Sequence, residues 1–304
     1  MNLLYQHWSF DPLVLVVAFT AGAYELGLAR LKAHSRALSH RRRRRRSWFF
    51  HAGLALMLIA VVSPLDYWAA RYFYVHMIDH VIAAFFVPMA IVAGAPWISL
   101  MFALPVGARR KVGKFLYLSR RASGLRHVGH VIRSPLFAVV SFNAAMVGWH
   151  LPVMFELSER NSFVHVWLMH GSFFVTGTLF WLQIIPSHPM KPARGAGWQI
   201  AAILFTNATM TVLAISMSML TTTSWYAVYN HVPGVSLSPF ADQQIGAAIL
   251  WICGDFWALP ALATIIRKHI EREHKVTSRI VDPWTGRGQM SVEEFRGASA
   301  EESH

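Results

Sequence analysis

The sequence predicts an all-α, polytopic membrane protein, built as a bundle of about seven transmembrane helices. Of its 304 residues, 55% are hydrophobic and 14% are charged, whereas an average soluble domain carries about a quarter charged residues. The chain is also basic, with 28 Lys and Arg against 15 Asp and Glu. A nucleic-acid-binding protein would account for the charge but not for the hydrophobicity. A membrane protein accounts for both, because basic residues collect in the loops on one side of the bilayer.

A helix that crosses a bilayer needs about 20 mostly apolar residues, and seven stretches of the sequence approach that length. We predict transmembrane helices over 12–31, 48–65, 72–93, 135–150, 163–185, 198–220 and 242–266. The fourth is the shortest of the seven. The apolar segment 97–104 is too short to span and lies between Pro96 and Pro105, so we expect it to be interfacial or re-entrant.

The basic residues predict how the helices are oriented. If the seven helices alternate across the bilayer, 26 basic residues fall on one side and only Arg71 and Arg160 on the other. The positive-inside rule then places the N-terminus outside and the C-terminus in the cytoplasm. We therefore expect a transmembrane domain over 1–266 and a polar, mobile cytoplasmic tail over 267–304. The arginine run at 41–46 fits an anchor beside anionic lipid better than a nucleic-acid-binding site.

Five histidines lie in or at the ends of three predicted helices, towards the predicted outer face: His76, His80, His150, His165 and His170. Ionisable groups inside a bilayer are costly, so each is a candidate functional residue. His76 and His80 are four residues apart and share a helical face. At 1.5 Å per residue, His80 and His170 lie at the same depth, roughly 12 Å from the outer ends of their helices. Such convergence predicts a metal site, because imidazole binds copper, zinc and iron.

His165 and His170 are five residues apart, which corresponds to about 140° around an α-helix. We therefore expect His170 in the metal site and His165 at its mouth. Asp79 is positioned to orient an imidazole. The thioethers of Met77 and Met154 favour Cu(I) over zinc, because soft sulfur ligands prefer Cu(I).

Acidic residues on the predicted outer side could attract a cation to the mouth of this site. They are Asp66, Glu156, Glu159 and Asp242. Asp242 also suits the positive N-terminus of the last helix. No phosphate-binding loop, zinc-protease motif or serine nucleophile motif is present in the sequence. We therefore predict that the protein is not an enzyme.

Three motifs, in this order, resemble the CtaG-type assembly factors of caa-type cytochrome c oxidases. They are His76-Met-Ile-Asp-His80 with Pro88 and Gly94-Ala-Pro96; Trp149-His150-Leu-Pro152 leading to His165, His170 and Phe180-Trp181; and Leu237-Ser-Pro239 with Asp242-Gln-Gln244 and Trp251. The resemblance implies a seven-helix protein of the bacterial cytoplasmic (inner) membrane. It also implies a role in maturing a haem-copper oxidase through copper delivery or insertion.

When the functional residues of the family are transferred to the matching positions of this sequence, the resemblance implies metal ligation by His76, His80, His150 and His170. His165 and Asp79 lie at further matching positions. The family usually spaces the two histidines of the fifth helix by four residues, and here they are five apart. The implied partners are haem-copper oxidase subunits, periplasmic or extracytoplasmic copper donors and membrane lipid, with no nucleic acid.

Three other functions remain open at this point. A haem-binding electron-transfer protein would use His80 and His170 as axial ligands. A transporter would need polar residues that continue to the cytoplasmic side, and only Asn207 and Asp255 do so. A scaffold for oxidase subunits would use its histidines only for hydrogen bonds.

Overall fold

The computed structural model describes residues 7–34 and 40–280, and in that part of the chain every regular element is helical. We number the helices α1 to α12 in chain order. They are α1 Leu13–His34, α2 His40–Val62, α3 Pro64–Ala69, α4 Phe73–Gly94, α5 Trp97–Ala103, α6 Val106–Leu118, α7 Ser123–Ile132, α8 Pro135–His150, α9 Pro152–Arg160, α10 Val164–His170 continuing as Gly171–Ile184, α11 Ala196–Ser218 and α12 Pro239–Ile280.

Five of the described helices are long and apolar enough to cross a membrane: α1, α2, α4, α11 and α12. Helices α7 and α8 meet at a bend of 70° and would form a sixth span if taken together. The predicted segments 135–150 and 163–185 are helical as well, as α8 and α10. The structure thus supports an all-helical membrane protein. The count of seven spans and the orientation of the termini stay predictions.

The last helix is longer than the predicted span over 242–266. α12 runs without a break from Pro239 to Ile280 and contains Pro260. The rest of the predicted tail, 281–304, lies outside the described residues, so its predicted mobility is not addressed. The predicted interfacial segment 97–104 forms the short helix α5, whose last carbonyls accept hydrogen bonds from Arg30 of α1.

Helix α4 lies at the centre of the bundle. Of its apolar span, 72% is buried inside the protein, against 28–39% for the other four candidate spans. It packs against α2, α10 and α12. Because α4 carries His76 and His80, both histidines lie in the protein interior rather than against lipid.

Gly27 allows α1 and α5 to approach closely. A Cβ at this position would overlap the backbone carbonyl of Ser99, whereas a Cβ at Gly22, on the same helix, meets nothing within 4 Å. We expect Gly27→Ala to lower stability by about 1–3 kcal/mol, because the two backbones must separate. Gly22→Ala should be neutral or stabilising, because alanine is the better helix former. Thermal unfolding of both detergent-solubilised variants checks this, and equal unfolding temperatures would contradict it.

Asp242, in the first turn of α12, fixes the start of α4. Its two carboxylate oxygens accept hydrogen bonds from the backbone amides of Phe73 and Tyr74, at 2.7 and 2.9 Å. The residue is 2% exposed. These amides have no partner within their own helix, so a neighbouring helix caps α4.

Replacing Asp242 with alanine should lower the free energy of unfolding by about 2–3 kcal/mol, because two buried amides lose a charged acceptor. Asp11→Ala is the matched control. Its carboxylate accepts a single bond, from the Leu13 amide in the partly exposed first turn of α1, and it should cost about 1 kcal/mol or less. Similar unfolding midpoints for the two variants would rule out the capping role of Asp242.

Candidate metal centre

Two histidines of α4, one helical turn apart, direct their rings towards each other. The Nε2 atoms of His76 and His80 are 2.6 Å apart, and both residues are fully buried. At this distance only one of the two nitrogens can carry a hydrogen, so at least one lone pair is directed at the other ring. An ion bound between the rings would satisfy both nitrogens.

His165 and His170 lie close together because the first part of α10 is a π-helix. Residues 164–170 have π-helical hydrogen bonding, in which residue i+5 bonds to residue i. Residues five apart are therefore stacked along the helix instead of diverging by the 140° expected for an α-helix. The centroids of the two rings are 4.7 Å apart. The structure thus places the ring of His165, which was expected at the mouth of the site, directly beside that of His170.

His150, at the C-terminus of α8, completes the set of five histidines. Its Nδ1 donates to the carbonyl of Met146 at 2.6 Å, and its ring is 5.5 Å from the ring of His80. This bond leaves Nε2 as a lone-pair atom that faces the protein interior, and Nε2 has no partner among the described residues. A metal-binding histidine often has this arrangement, in which a backbone carbonyl fixes the tautomer.

Two carboxylates lie among the rings. Asp79 of α4 is fully buried, and its Oδ2 is 3.1 Å from Nε2 of His170. Glu159 of α9 places Oε1 3.1 Å from Nδ1 of His165 and 3.4 Å from Nδ1 of His76. These contacts have the distance of hydrogen bonds but lack their angles, so the oxygens keep unused acceptor capacity.

Many of the buried side-chain nitrogen and oxygen atoms that lack a hydrogen-bond partner belong to the histidines and carboxylates of this centre. In the described part of the chain, they include His80 Nδ1, His150 Nε2, His165 Nε2, both ring nitrogens of His170, both oxygens of Asp79 and Oε1 of Glu159. Buried polar groups in native proteins are nearly always paired, so each exception needs a reason. A cluster of imidazole nitrogens and carboxylate oxygens that lack protein partners has the chemistry of a metal site.

Two sets of three donor groups are compact enough to hold an ion. His76, Glu159 and His165 form one set, and Asp79, His165 and His170 form the other. Within each set the ligand atoms lie within 4.8 Å of one another. Both sets contain two imidazoles and one carboxylate, and they share His165.

An open cavity of about 560 Å³ reaches this cluster from the end of the bundle where α2 joins α3. We call it the vestibule. Its lining residues that carry a carboxylate, a guanidinium or an imidazole are His7, Asp11, Asp66, Arg71, Glu159 and His165. Partial burial raises the pKa of Asp66 in the lining of the vestibule.

The predicted supporting residues lie in different places. Met77 is fully buried on the side of α4 that faces Gly246 of α12, and Met154 is 37% exposed on α9. Asp242 lies at the start of α4 and caps that helix. Asp79 is the predicted supporting residue that lies among the histidines.

Glu159 and Tyr229 reach His76, whereas Glu159 was expected only as an acidic residue near the mouth of the site and Tyr229 was not expected there. The hydroxyl of Tyr229 donates to the carbonyl of Ala69 at 2.9 Å and lies 3.4 Å from Nδ1 of His76. Burial raises the pKa of Tyr229, so its hydroxyl stays protonated as a donor. The signal in the sequence is that Glu159 is an acidic residue on the predicted outer side, where it can attract a cation.

The sequence model of the family described as cytochrome c oxidase caa3 assembly factor (Caa3_CtaG) matches residues 22–272. The chain belongs to the CtaG family. This confirms the family predicted from the three motifs, and all five histidines of the centre lie in the matched region. CtaG proteins are defined by a role in oxidase assembly rather than by catalysis.

Two mycobacterial proteins are similar to this CtaG chain: the uncharacterized proteins Mb0105 of Mycobacterium bovis and MT0111 of Mycobacterium tuberculosis. Each is 26% identical over 289 residues, which covers 90% of this chain and 40% of the relative. The chain thus spans about two fifths of the length of these relatives. No solved structure matches it.

Proposed function

We propose that this CtaG protein binds copper at the buried histidine centre and delivers it to a caa-type haem-copper oxidase during assembly of that enzyme. Membership of the family supports the role in oxidase assembly. The observation that carries the copper proposal is the cluster of five histidines and two carboxylates with unpartnered donor atoms inside a membrane helix bundle.

The donor atoms suit copper. Imidazole nitrogens bind copper readily, and a carboxylate beside the imidazoles offsets the charge of the ion away from water. Zinc accepts the same ligands, so the ion has to be identified by measurement. The three-donor sets also suit a carrier, because each leaves a coordination position for an incoming ligand from a donor or a recipient.

The orientation predicted from the basic residues supports loading from outside the cytoplasm. The histidine centre and the vestibule lie at the end of the bundle opposite the arginine run at 41–46. In the bacterial cytoplasmic (inner) membrane, the positive-inside rule would direct this end towards an extracytoplasmic copper donor and an oxidase subunit.

Metal analysis of the full chain purified in detergent tests this function. Loading with Cu(I) under reducing conditions should give about one copper per chain. His165→Ala combined with His170→Ala should abolish binding, because His165 belongs to both sets of donor groups, whereas the exposed His130→Ala on α7 should retain it. A wild-type protein without copper would favour a scaffold whose histidines only form hydrogen bonds.

The same sample tests the haem alternative. Haem ligation by His80 and His170 would need an apolar slot between their rings, whose centroids are 6.0 Å apart. The groups beside these two rings are instead His150, His165 and Asp79. A Soret band in the visible spectrum of the purified protein would nevertheless establish haem binding and contradict the copper assignment.

A further inference from the structure

We propose that the histidine centre contains two overlapping metal sites that act as a relay. The vestibule site consists of His76, Glu159 and His165, and the buried site consists of Asp79, His165 and His170. This inference rests on the proposed copper function and adds a route for the ion within the centre.

The two sites differ in their access to solvent. Two of the three ligands of the vestibule site, Glu159 and His165, line the vestibule, whereas the third, His76, is fully buried. Asp79 is fully buried, His170 is 6% exposed, and neither lines the vestibule. An ion from outside therefore reaches the vestibule site first, and the buried site fills through it.

The vestibule has the charge that a cation needs. Three carboxylates line it, from Asp11, Asp66 and Glu159, against one guanidinium, from Arg71. A cavity with walls of mostly one sign raises the local concentration of the opposite charge. The same carboxylates offer oxygen ligands along the path to His165.

The ligand sets allow the ion to move with a small change in free energy. Each set supplies two imidazoles and one carboxylate, so the ion gives up His76 and Glu159 and gains His170 and Asp79 while His165 stays bound. The charge of the ligand set is the same before and after the move, and no redox step is required. The relay assigns the buried site an affinity about tenfold higher than that of the vestibule site, so that it holds most of the bound ion. A much tighter second site would retain the ion.

The two sites are occupied one at a time. They share His165, and within each set the donor atoms lie within 4.8 Å of one another. Two cations held this close in a protein interior repel each other strongly. The relay therefore agrees with one copper per chain.

Transfer kinetics test the relay. The full chain in detergent is mixed with a chromophoric Cu(I) chelator, and uptake and release of Cu(I) are followed in a stopped-flow instrument. Glu159→Gln should slow uptake and release at least tenfold each, with bound copper at equilibrium within about twofold of wild type. Glu156→Gln is the matched control on the same helix and should behave as wild type.

The buried site is tested in the same experiment. His170→Gln should take up Cu(I) at the wild-type rate but release it at least tenfold faster, and Asp79→Asn serves as a second variant. If the vestibule and buried variants all weaken equilibrium binding alike, the centre is a single site and the relay is wrong. A wild-type chain that takes up no Cu(I) instead contradicts the copper function itself.

Discussion

Cells that carry His80→Ala together with His170→Ala should insert the CtaG chain normally but fail to assemble active caa-type oxidase. The two residues lie on α4 and α10, with ring centroids 6.0 Å apart. Their loss removes imidazoles from both helices that supply ligands to the buried part of the centre. We expect oxidase activity in membranes to fall to the level of a strain that lacks the protein.

His130→Ala is the matched control for this strain, because it removes an exposed histidine of α7. Immunoblots of membrane fractions establish that both variants are inserted in equal amounts. Full oxidase activity in the double variant, at equal insertion, would show that assembly does not depend on the histidine centre.

Asp79→Asn should weaken copper binding by about 10–100-fold, the effect expected when a carboxylate that ligates a metal or orients its ligands is lost. Asparagine keeps the size of the side chain but removes the charge beside His170. The dissociation constant, measured by competition with a Cu(I) chelator, checks this prediction.

Asp255→Asn provides the control, because Asp255 is an acidic residue of the α12 span that is exposed on the surface of the bundle. It should bind copper as tightly as wild type. Equal losses in the two variants would mean that net charge, rather than the position of Asp79 beside His170, determines the affinity.

The histidine cluster could be predicted largely from helix geometry. His76 and His80 share a face of any α-helix, and counting residues gave His80 and His170 the same depth. The position of His165 could not be derived in this way, because the argument assumed an α-helix. Its ring reaches the cluster only because residues 164–170 form a π-helix.

Contacts between residues that are far apart in the sequence could not be predicted from sequence patterns. Asp242 suits the start of its own helix by its position, but its carboxylate caps α4, which is remote in sequence. Tyr229 lies 153 residues after His76 in the sequence, yet its hydroxyl packs beside that ring. Both contacts depend on how the loop before α12 folds against the start of α4.

The helices themselves were largely visible in the sequence, because long apolar segments form helices wherever backbone groups leave water. Their boundaries were less accurate. The polar end of α12 continues as helix to Ile280, past the apolar segment that marked the predicted span. For α10, His165, His170 and Gln183 lower the apolar character of the helix, and it is not among the five candidate spans.

X-ray absorption at the copper edge, on the Cu(I)-loaded full chain in detergent, shows which atoms bind the ion. The histidine centre predicts nitrogen and oxygen neighbours at about 2.0 Å, with the outer-shell scattering of imidazole. Loss of that scattering in the His165→Ala and His170→Ala double variant would complete the assignment. A first shell of sulfur at about 2.3 Å would contradict it, and would place the copper on methionines or Cys253 instead.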